Sequence, residues 1–296
     1  MRCGAADLEI TMSFDRFYII ANRGKDPDQT VSKKIKHFLE SRGKICTIAF
    51  TDKEREELHE KLCGSSDCML VLGGDGTVLE ASHLTAGTET PILGINLGNI
   101  GYLAEVNARD WEPALLRILD GGYEIESRMM LEGYVSDPIS HVYPGARGQA
   151  LNDIVITRNR GLKILDYNIY VDGQFLNKYS ADGVIVSTAT GSTAYNMSAG
   201  GPIVEPKARL ILLTPISPHT LNNRSIVLSA DDNIMIEMIP PRNGGELFAE
   251  CDFDGTGNIE LHSGDRVHVT KSEATTLLVR LSRRSFLEIL HRKITS

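Results

Sequence analysis

The feature that most constrains this chain is a change of hydrophobic period near Gly121-Gly122. Before it, short apolar runs ("FYIIAN", "KICTIAF", "CMLVLGG", "PILGINLG") alternate with stretches of helical spacing. In "PDQTVSKKIKHFLESRG" the residues Val31, Ile35, Phe38 and Leu39 fall on one helical face, and "GTVLEASHLTAG" and "DWEPALLRILDGG" are spaced in the same way. This βαβα order predicts a parallel sheet covered by helices. After Gly122 the helical spacing almost vanishes. "YEIESRMMLEGYV", "ALNDIVITR", "DYNIYVDGQFLNKY" and "SIVLSADDNIMIEMI" alternate or run apolar at strand length, with Asp172-Gly173 where a tight hairpin turn belongs. The second half is therefore expected to be mainly antiparallel β. Helical spacing returns in "RRSFLEILHRKI" through Phe286, Ile289 and Leu290, and "HVYPGARGQA" reads as a surface loop.

A chain of 296 residues with two such halves is expected to form two domains. Its 31 basic and 39 acidic residues leave a formal charge of -8, which supplies no overall field for nucleic acid or anionic membranes. Neither is an expected partner. The five cysteines, Cys3, Cys46, Cys63, Cys68 and Cys251, form no C-x-x-C and no His/Cys cluster of zinc-ligand spacing, so they read as reduced thiols of a cytoplasmic protein. "MRCGAADLEITMSFDRF" lacks the apolar core of a signal peptide, and no apolar run approaches the length of a membrane span.

Three segments carry chemistry. "VLGGDGTVLEA" puts a glycine turn between a predicted strand and a predicted helix, at the end of a parallel strand where open α/β sheets bind ligands. Glycines there admit a phosphate to the backbone amides, and the helix start adds favourable partial charge. Asp75 does not suit a passive cradle, since a carboxylate repels phosphates. It is either a general base or Mg²⁺ contact, or the N-cap of the following helix, and this segment alone leaves the two readings level. "DGVIVSTATGSTAYNMSAGGP" follows a hydrophobic strand with small hydroxyl and glycine residues plus Tyr195 and Asn196, a set suited to neutral hydrogen bonds and a flat base. "LNDIVITR" carries Asn152-Asp153 in an apolar strand pattern, which marks a strand end at a pocket or a turn. The eight histidines show no metal-ligand spacing, and "SKKIKHF" reads as a solvated helix face.

Together these segments resemble the NAD kinase family of ATP:NAD 2′-phosphotransferases. The matching motifs are "GGDGT" (Gly73 to Thr77), "ILGINLGNIGYLAEV", Asn152-Asp153, "DGVIVSTATGSTAYNMSAGGP", "TPISPHTLNNRSIVLS" and "DFDGT" (Asp252 to Thr256), in the family order from about Phe17 onward. "GGDGT" is shared with lipid kinases and resembles a phosphofructokinase turn, whereas "TGSTAYNMSAGGP" is far more specific. The resemblance implies an α/β N-terminal domain with a parallel, Rossmann- or flavodoxin-like sheet over residues 14–124. It implies a β-rich NAD-binding domain over 125–280, and a C-terminal helix over 281–296 that returns to the first domain. The active site is implied to lie between the domains.

The resemblance makes Asp75 the general base that takes the proton of the adenosine-ribose 2′-hydroxyl, with Gly73, Gly74, Gly76 and Thr77 shaping the phosphate turn. It assigns Asn152 and Asp153 to hydrogen bonds with NAD, and Asp182, Thr193, Ala194, Tyr195, Asn196 and Ser198 to its lining, Tyr195 against a base. Ser217 matches a position near the dinucleotide, and Lys163 one where a basic group faces phosphate. The implied activity transfers the γ-phosphoryl group of ATP, with Mg²⁺, to NAD, giving NADP and ADP. The metal rides on the donor phosphates without a dedicated protein ligand set. Family members are commonly dimers or tetramers. Ser180, Ala189 and Thr256 depart from the arginine, proline and glutamine frequent at their positions. The alternatives are a nucleotide-binding sensor without catalysis, against which the intact "GGDGT" weighs, and a lipid or sugar kinase, against which "TGSTAY" weighs.

Overall fold

The computed structural model describes residues 14–62, 67–98, 101–139, 141–159, 164–219, 224–241, 247–281 and 285–295. The chain divides into two compact units. One runs to Glu126 and takes in Leu277–Arg283; the other comprises Ser127–Thr276 and Arg284–Ser296. The residues that rejoin the first unit thus precede the terminal helix.

In the first unit, strands β1 (Arg16–Ala21), β2 (Ile45–Ala49), β3 (Asp67–Gly73), β4 (Ile92–Asn96) and the short β5 (Val106–Asn107) alternate with helices. The helices are α1 (Thr30–Glu40), α2 (Asp52–His59), α3 (Asp75–Thr85) and α4 (Trp111–Leu119). The sheet is parallel in the order β2-β1-β3-β4, with β5 beside the end of β4. This is the flavodoxin-like strand order. Every residue of β3 is buried, as a central strand covered on both faces requires. Ile35, Phe38 and Leu39 of α1 are buried as their spacing predicts, with Val31 partly buried against the same cluster, and Ser32 is buried as well. The cause is polar: the Ser32 amide and hydroxyl both donate to the buried Asp26 carboxylate. Helix α2, without an apolar stripe in its sequence, is started by a capping box between Thr51 and Glu54.

The second unit holds β6 (Glu124–Ser136) from Ser127 onward, then β7 (Val142–Ala150), β8 (Asp153–Arg158), β9 (Leu165–Val171), β10 (Gln174–Ala181) and β11 (Gly183–Thr188). The one-turn α5 (Tyr195–Ser198) follows, then β12 (Leu210–Ile216), β13 (Ile226–Ser229), β14 (Ile234–Met238), β15 (Ala249–Phe253), β16 (Asn258–Leu261), β17 (Arg266–Arg280, its last four residues in the first unit) and α6 (Phe286–Thr295). One antiparallel sheet has the order β13-β12-β11-β8-β15-β16, and a second contains β10-β9-β14-β17 with β6 and β7 alongside. Alternating residues of both, among them Ile154, Ile156, Val184, Val186, Tyr167, Ile169, Ile234 and Ile236, share one core. The β9-β10 hairpin turns at Asp172 (φ 48°) and Gly173 (φ 74°), the two left-handed positions of a tight primed turn.

The segment expected as a surface loop, "HVYPGARGQA", is instead strand β7. Among the described residues it pairs only with β6, so Pro144 lies on an edge where its missing amide costs no ladder bond. Cys46, Cys68 and Cys251 are free and buried, and burial pushes the Cys46 and Cys251 thiols up to about 12. Among the described residues no helix is long and apolar enough to cross a membrane.

Candidate active site

The site residues form two clusters, one in each unit. In the first unit, β1 leads to β2 on one side while β3 lies on the other, so the loops leaving β1 and β3 diverge at the switch point of the sheet. Open α/β sheets place ligands there. The Asn22 amide donates to the Leu72 carbonyl at 2.8 Å and holds the two loops together. Gly73 ends β3, and Gly74, extended at φ -122°, is the N-cap of α3. The glycines serve different ends. A Cβ on Gly73 would collide with the Thr77 side chain, which folds back over the turn and is buried. A Cβ on Gly74 would stand 3.3 Å from Lys25 Nζ, and one on Gly98 3.0 Å from the same atom, so the ammonium lies between two glycine backbones. Gly76 is exposed and faces open space.

Asp75 is the first residue of α3 and does not cap it, because Gly74 occupies the cap position. The carboxylate instead accepts three successive backbone amides from another loop: Tyr102 on Oδ2 at 2.7 Å, and Leu103 and Ala104 on Oδ1 at 3.1 and 3.4 Å. Gly101 makes this possible, since any Cβ there would land on the carboxylate. A carboxylate has about four acceptor positions, and the described residues fill three, which leaves one on Oδ2 for a substrate proton.

In the second unit, Leu151 and Asn152 form a bend from which β8 starts at Asp153. Thr188 Oγ1 donates to the Leu151 carbonyl at 2.6 Å, while the Thr188 amide and Ser187 Oγ donate to the Asn152 carbonyl at 2.8 and 3.1 Å. Gly191 packs so tightly on that carbonyl that no Cβ fits. The hydroxyl-rich segment is thereby folded onto the Asn152-Asp153 pair, and two distant motifs become one surface. Asp153 is 6% exposed, and its Oδ2 is buried without a hydrogen-bond partner among the described residues. Burial first, then the charges of Asp254 and Asp252, push its carboxyl up to about 7. Buried Arg128 donates to Thr190 Oγ1 at 3.1 Å.

From there a single 3-10 turn, Thr190–Thr193, leads through Ala194 to α5. Tyr195 is 43% exposed and Ser198 is exposed, so both are open to a ligand. Asn196 is not: its amide donates to the carbonyls of Ser192 and Pro202 and accepts from Thr214 Oγ1 at 2.7 Å, fully inside the protein. Asp182 and Ser217 lie apart from this cluster. Ser187 pairs with Asp153, but Gly183 pairs with Thr157, so Asp182 stands at the opposite end of the β8-β11 ladder. It is ion-paired there with Arg158 at 3.2 Å, and its amide reaches Ile216, next to the left-handed Ser217. Lys163 lies outside the described residues.

The three departures have local roles. Ser180 Oγ donates to Asp166, Ala189 is buried, and Thr256 Oγ1 donates to the Phe253 carbonyl at 2.6 Å within a turn. Lys25, the Tyr102–Ala104 amides and the partners of Asp254 were not assigned from sequence; Gly98 and Gly101 in "NLGNIGYLA" were the available signal for the first two.

Residues 27–123 match the model of the ATP-NAD kinase N-terminal domain, and residues 151–281 that of the ATP-NAD kinase C-terminal domain. An NAD kinase of Lachnospira eligens is 45% identical over 94% of this chain and 99% of its own length. One from Agathobacter rectalis is 43% identical over 94% and 98%. Among solved structures, yeast NADH kinase complexed with NADH superposes with a TM-score of 0.82 at 23% identity, covering 96% of this chain and 88% of the other. An NAD kinase from Archaeoglobus fulgidus in complex with ATP superposes with a TM-score of 0.74 at 26% identity, covering 95% and 98%.

Proposed function

The chain belongs to the NAD kinase family, and from that premise we propose how its residues divide the work of phosphorylating NAD with ATP. The observation that carries the reading is Asp153. A buried carboxylate oxygen without a partner destabilises the folded protein unless something donates to it, and the hydroxyls of a ribose are donors of the right kind. Asp153, the side-chain amide of Asn152, and the exposed Tyr195 and Ser198 would hold the dinucleotide, Tyr195 by stacking on a base. Thr193 and Ala194 contribute backbone, and Asn196 acts by fixing the turn that presents Tyr195. Asp182 and Ser217 stand at the other end of the ladder, so the assignment rests on the first group.

On the donor side, the open amides at the start of α3 and the Lys25 ammonium supply positive potential for phosphate at the switch point of the sheet. Gly73, Gly74, Gly76 and Thr77 give this turn its shape. Asp75 is the catalytic residue: its free Oδ2 position takes the proton of the adenosine-ribose 2′-hydroxyl as the oxygen bonds to the γ-phosphorus and the bond to the β-phosphate oxygen breaks, releasing ADP. Mg²⁺ would enter on the donor phosphates, where it would neutralise their charge. A cytoplasmic homodimer or homotetramer is the accompanying expectation, and light scattering of the purified chain tests the assembly. The activity itself is tested by incubating the protein with ATP, Mg²⁺ and NAD. NADP should form; phosphorylation of diacylglycerol or fructose 6-phosphate without NADP would reject the reading.

A further inference from the structure

The sequence contains two Asp-Gly-Thr triplets, Asp75-Gly76-Thr77 and Asp254-Gly255-Thr256, and the structure uses their carboxylates in the same way. Each accepts three successive backbone amides from a distant segment. Asp254 takes Leu151 N on Oδ2 at 2.6 Å, and Asn152 N and Asp153 N on Oδ1 at 2.9 and 3.0 Å. The Asp254 amide donates back to the Asp153 carbonyl at 3.1 Å. Asp254 itself has φ 54°, a conformation that Asp and Asn tolerate better than most residues, and the Asp252 carboxylate, accepting from Gly255 N and Gly257 N, fixes the turn that carries it. Three amides pointing the same way cannot occur within a regular strand, where successive amides alternate in direction. The bend before β8, and with it the direction in which the Asp153 side chain leaves the backbone, therefore depends on Asp254.

We propose that Asp254 is a positioning residue for dinucleotide recognition, holding Asn152 and Asp153 in the orientation from which they meet the ribose. This rests on the reading of Asp153 as a ribose contact. Asp254 also places a like charge beside Asp153. The charged groups that face Asp153 are Asp254 and Asp252, on β15 and the turn after it, while β11 presents the neutral Ser187. Both carboxylates raise the pH at which Asp153 ionises, so removing one lowers it.

The test compares Asp254→Asn, Asp254→Ala, Asp153→Ala and the Asp153→Ala/Asp254→Ala double variant in the full chain, with kcat, KM for NAD and KM for ATP measured across pH. Asn keeps the left-handed backbone and an acceptor oxygen, so Asp254→Asn stays folded even where the Ala variant does not. Asp254→Ala should raise KM for NAD about tenfold or more, the loss expected when a charge-assisted contact is misdirected, while KM for ATP changes little. Asp254→Asn should raise it less and shift the inflection in kcat/KM for NAD to lower pH, a change that a merely structural residue would not cause. The double variant should lose less than the sum of the two single losses, because Asp254 acts in part through Asp153. Additive losses, or an equal fall for both substrates with an unmoved pH profile, would overturn the proposal. If Asp153→Ala binds NAD as the wild type does, the ribose reading falls first and the positioning role with it.

Discussion

Replacing Asp153 by Asn should make the ligand-free protein more stable at pH 8 while weakening its hold on NAD. The Asp153 carboxyl ionises near 7 in the folded protein against 3.8 for an ordinary aspartate, because burial and the neighbouring carboxylates oppose its charge. The folded state therefore binds this proton more tightly than the unfolded state does. Stability from this group is complete below pH 3.8, is lost as the pH rises, and reaches its full deficit above 7. Each pH unit between the two values is worth about 1.4 kcal/mol, so the deficit at pH 8 is about 4 kcal/mol. Asn carries no charge, and its amide can donate to Asp254 or Asp252. At roughly 2–4 °C per kcal/mol, the Asn variant should melt on the order of 10 °C above wild type at pH 8, and the gap should shrink steadily toward pH 5. Other titrating groups are common to both proteins, so scanning calorimetry of the pair from pH 5 to 8.5 isolates this one. NAD should reverse the order, since the ribose gives wild-type Asp153 the partner it lacks, and KM for NAD should rise roughly 10–100-fold in the variant. A melting difference that does not change with pH, or a variant less stable than wild type at pH 8, would refute the argument.

The Asp75→Asn variant should lose roughly 10²–10⁴-fold in kcat with little change in calorimetric Kd for NAD; near-wild-type turnover would remove Asp75 as the base. It should also melt lower, because the amide nitrogen of Asn cannot accept the Tyr102 N–H. Gly101→Ala, without touching the carboxylate chemically, should reduce kcat because its methyl displaces Asp75, and unimpaired kinetics would show that the 101–104 loop does not fix the base. Lys25→Met should raise KM for ATP and leave KM for NAD nearly unchanged, as steady-state kinetics with each substrate varied would reveal. An effect on NAD alone would move Lys25 out of the donor site.

The βαβα half and the antiparallel half were legible because their periods differ, and the hairpin at Asp172-Gly173 because only a few residues accept two left-handed positions. Helix α2 was not read from an apolar stripe: Leu58 and Arg55 are its buried residues, and Arg55 is held by Glu80 and the Ala21 carbonyl. The capping box at Thr51 and Glu54 was the sequence signal available for it. Strand β7 was missed because Pro144 and Gly145 argue for a loop unless the strand is known to be an edge. The role of Asp75 was half legible. Its place after two glycines suggested either a cap or a base, and the cap reading fails because Gly74 already fills that position. No local rule could pair Asp75 with amides 27 residues away, or Asp254 with amides about a hundred residues earlier, since such partners are brought together by topology alone.

The return of Leu277–Arg283 to the first unit bears on the order in which this protein can be built on the ribosome. Leu278 pairs with Ile92, Val279 and Leu281 fill the same apolar cluster as Phe17 and Leu70, and Arg280 bridges Glu105 at 2.9 Å and Glu126 at 3.2 Å. All four are synthesised after the strands of the second unit. A nascent chain that has emerged only to Glu126 has two partly buried carboxylates with no guanidinium between them and an apolar slot with nothing in it. Domains ordinarily fold as they emerge, N-terminal first. Here the half that is translated first must wait for residues 277–283, so a pause or truncation before them would leave the early half, and the Asp75 turn within it, unfinished.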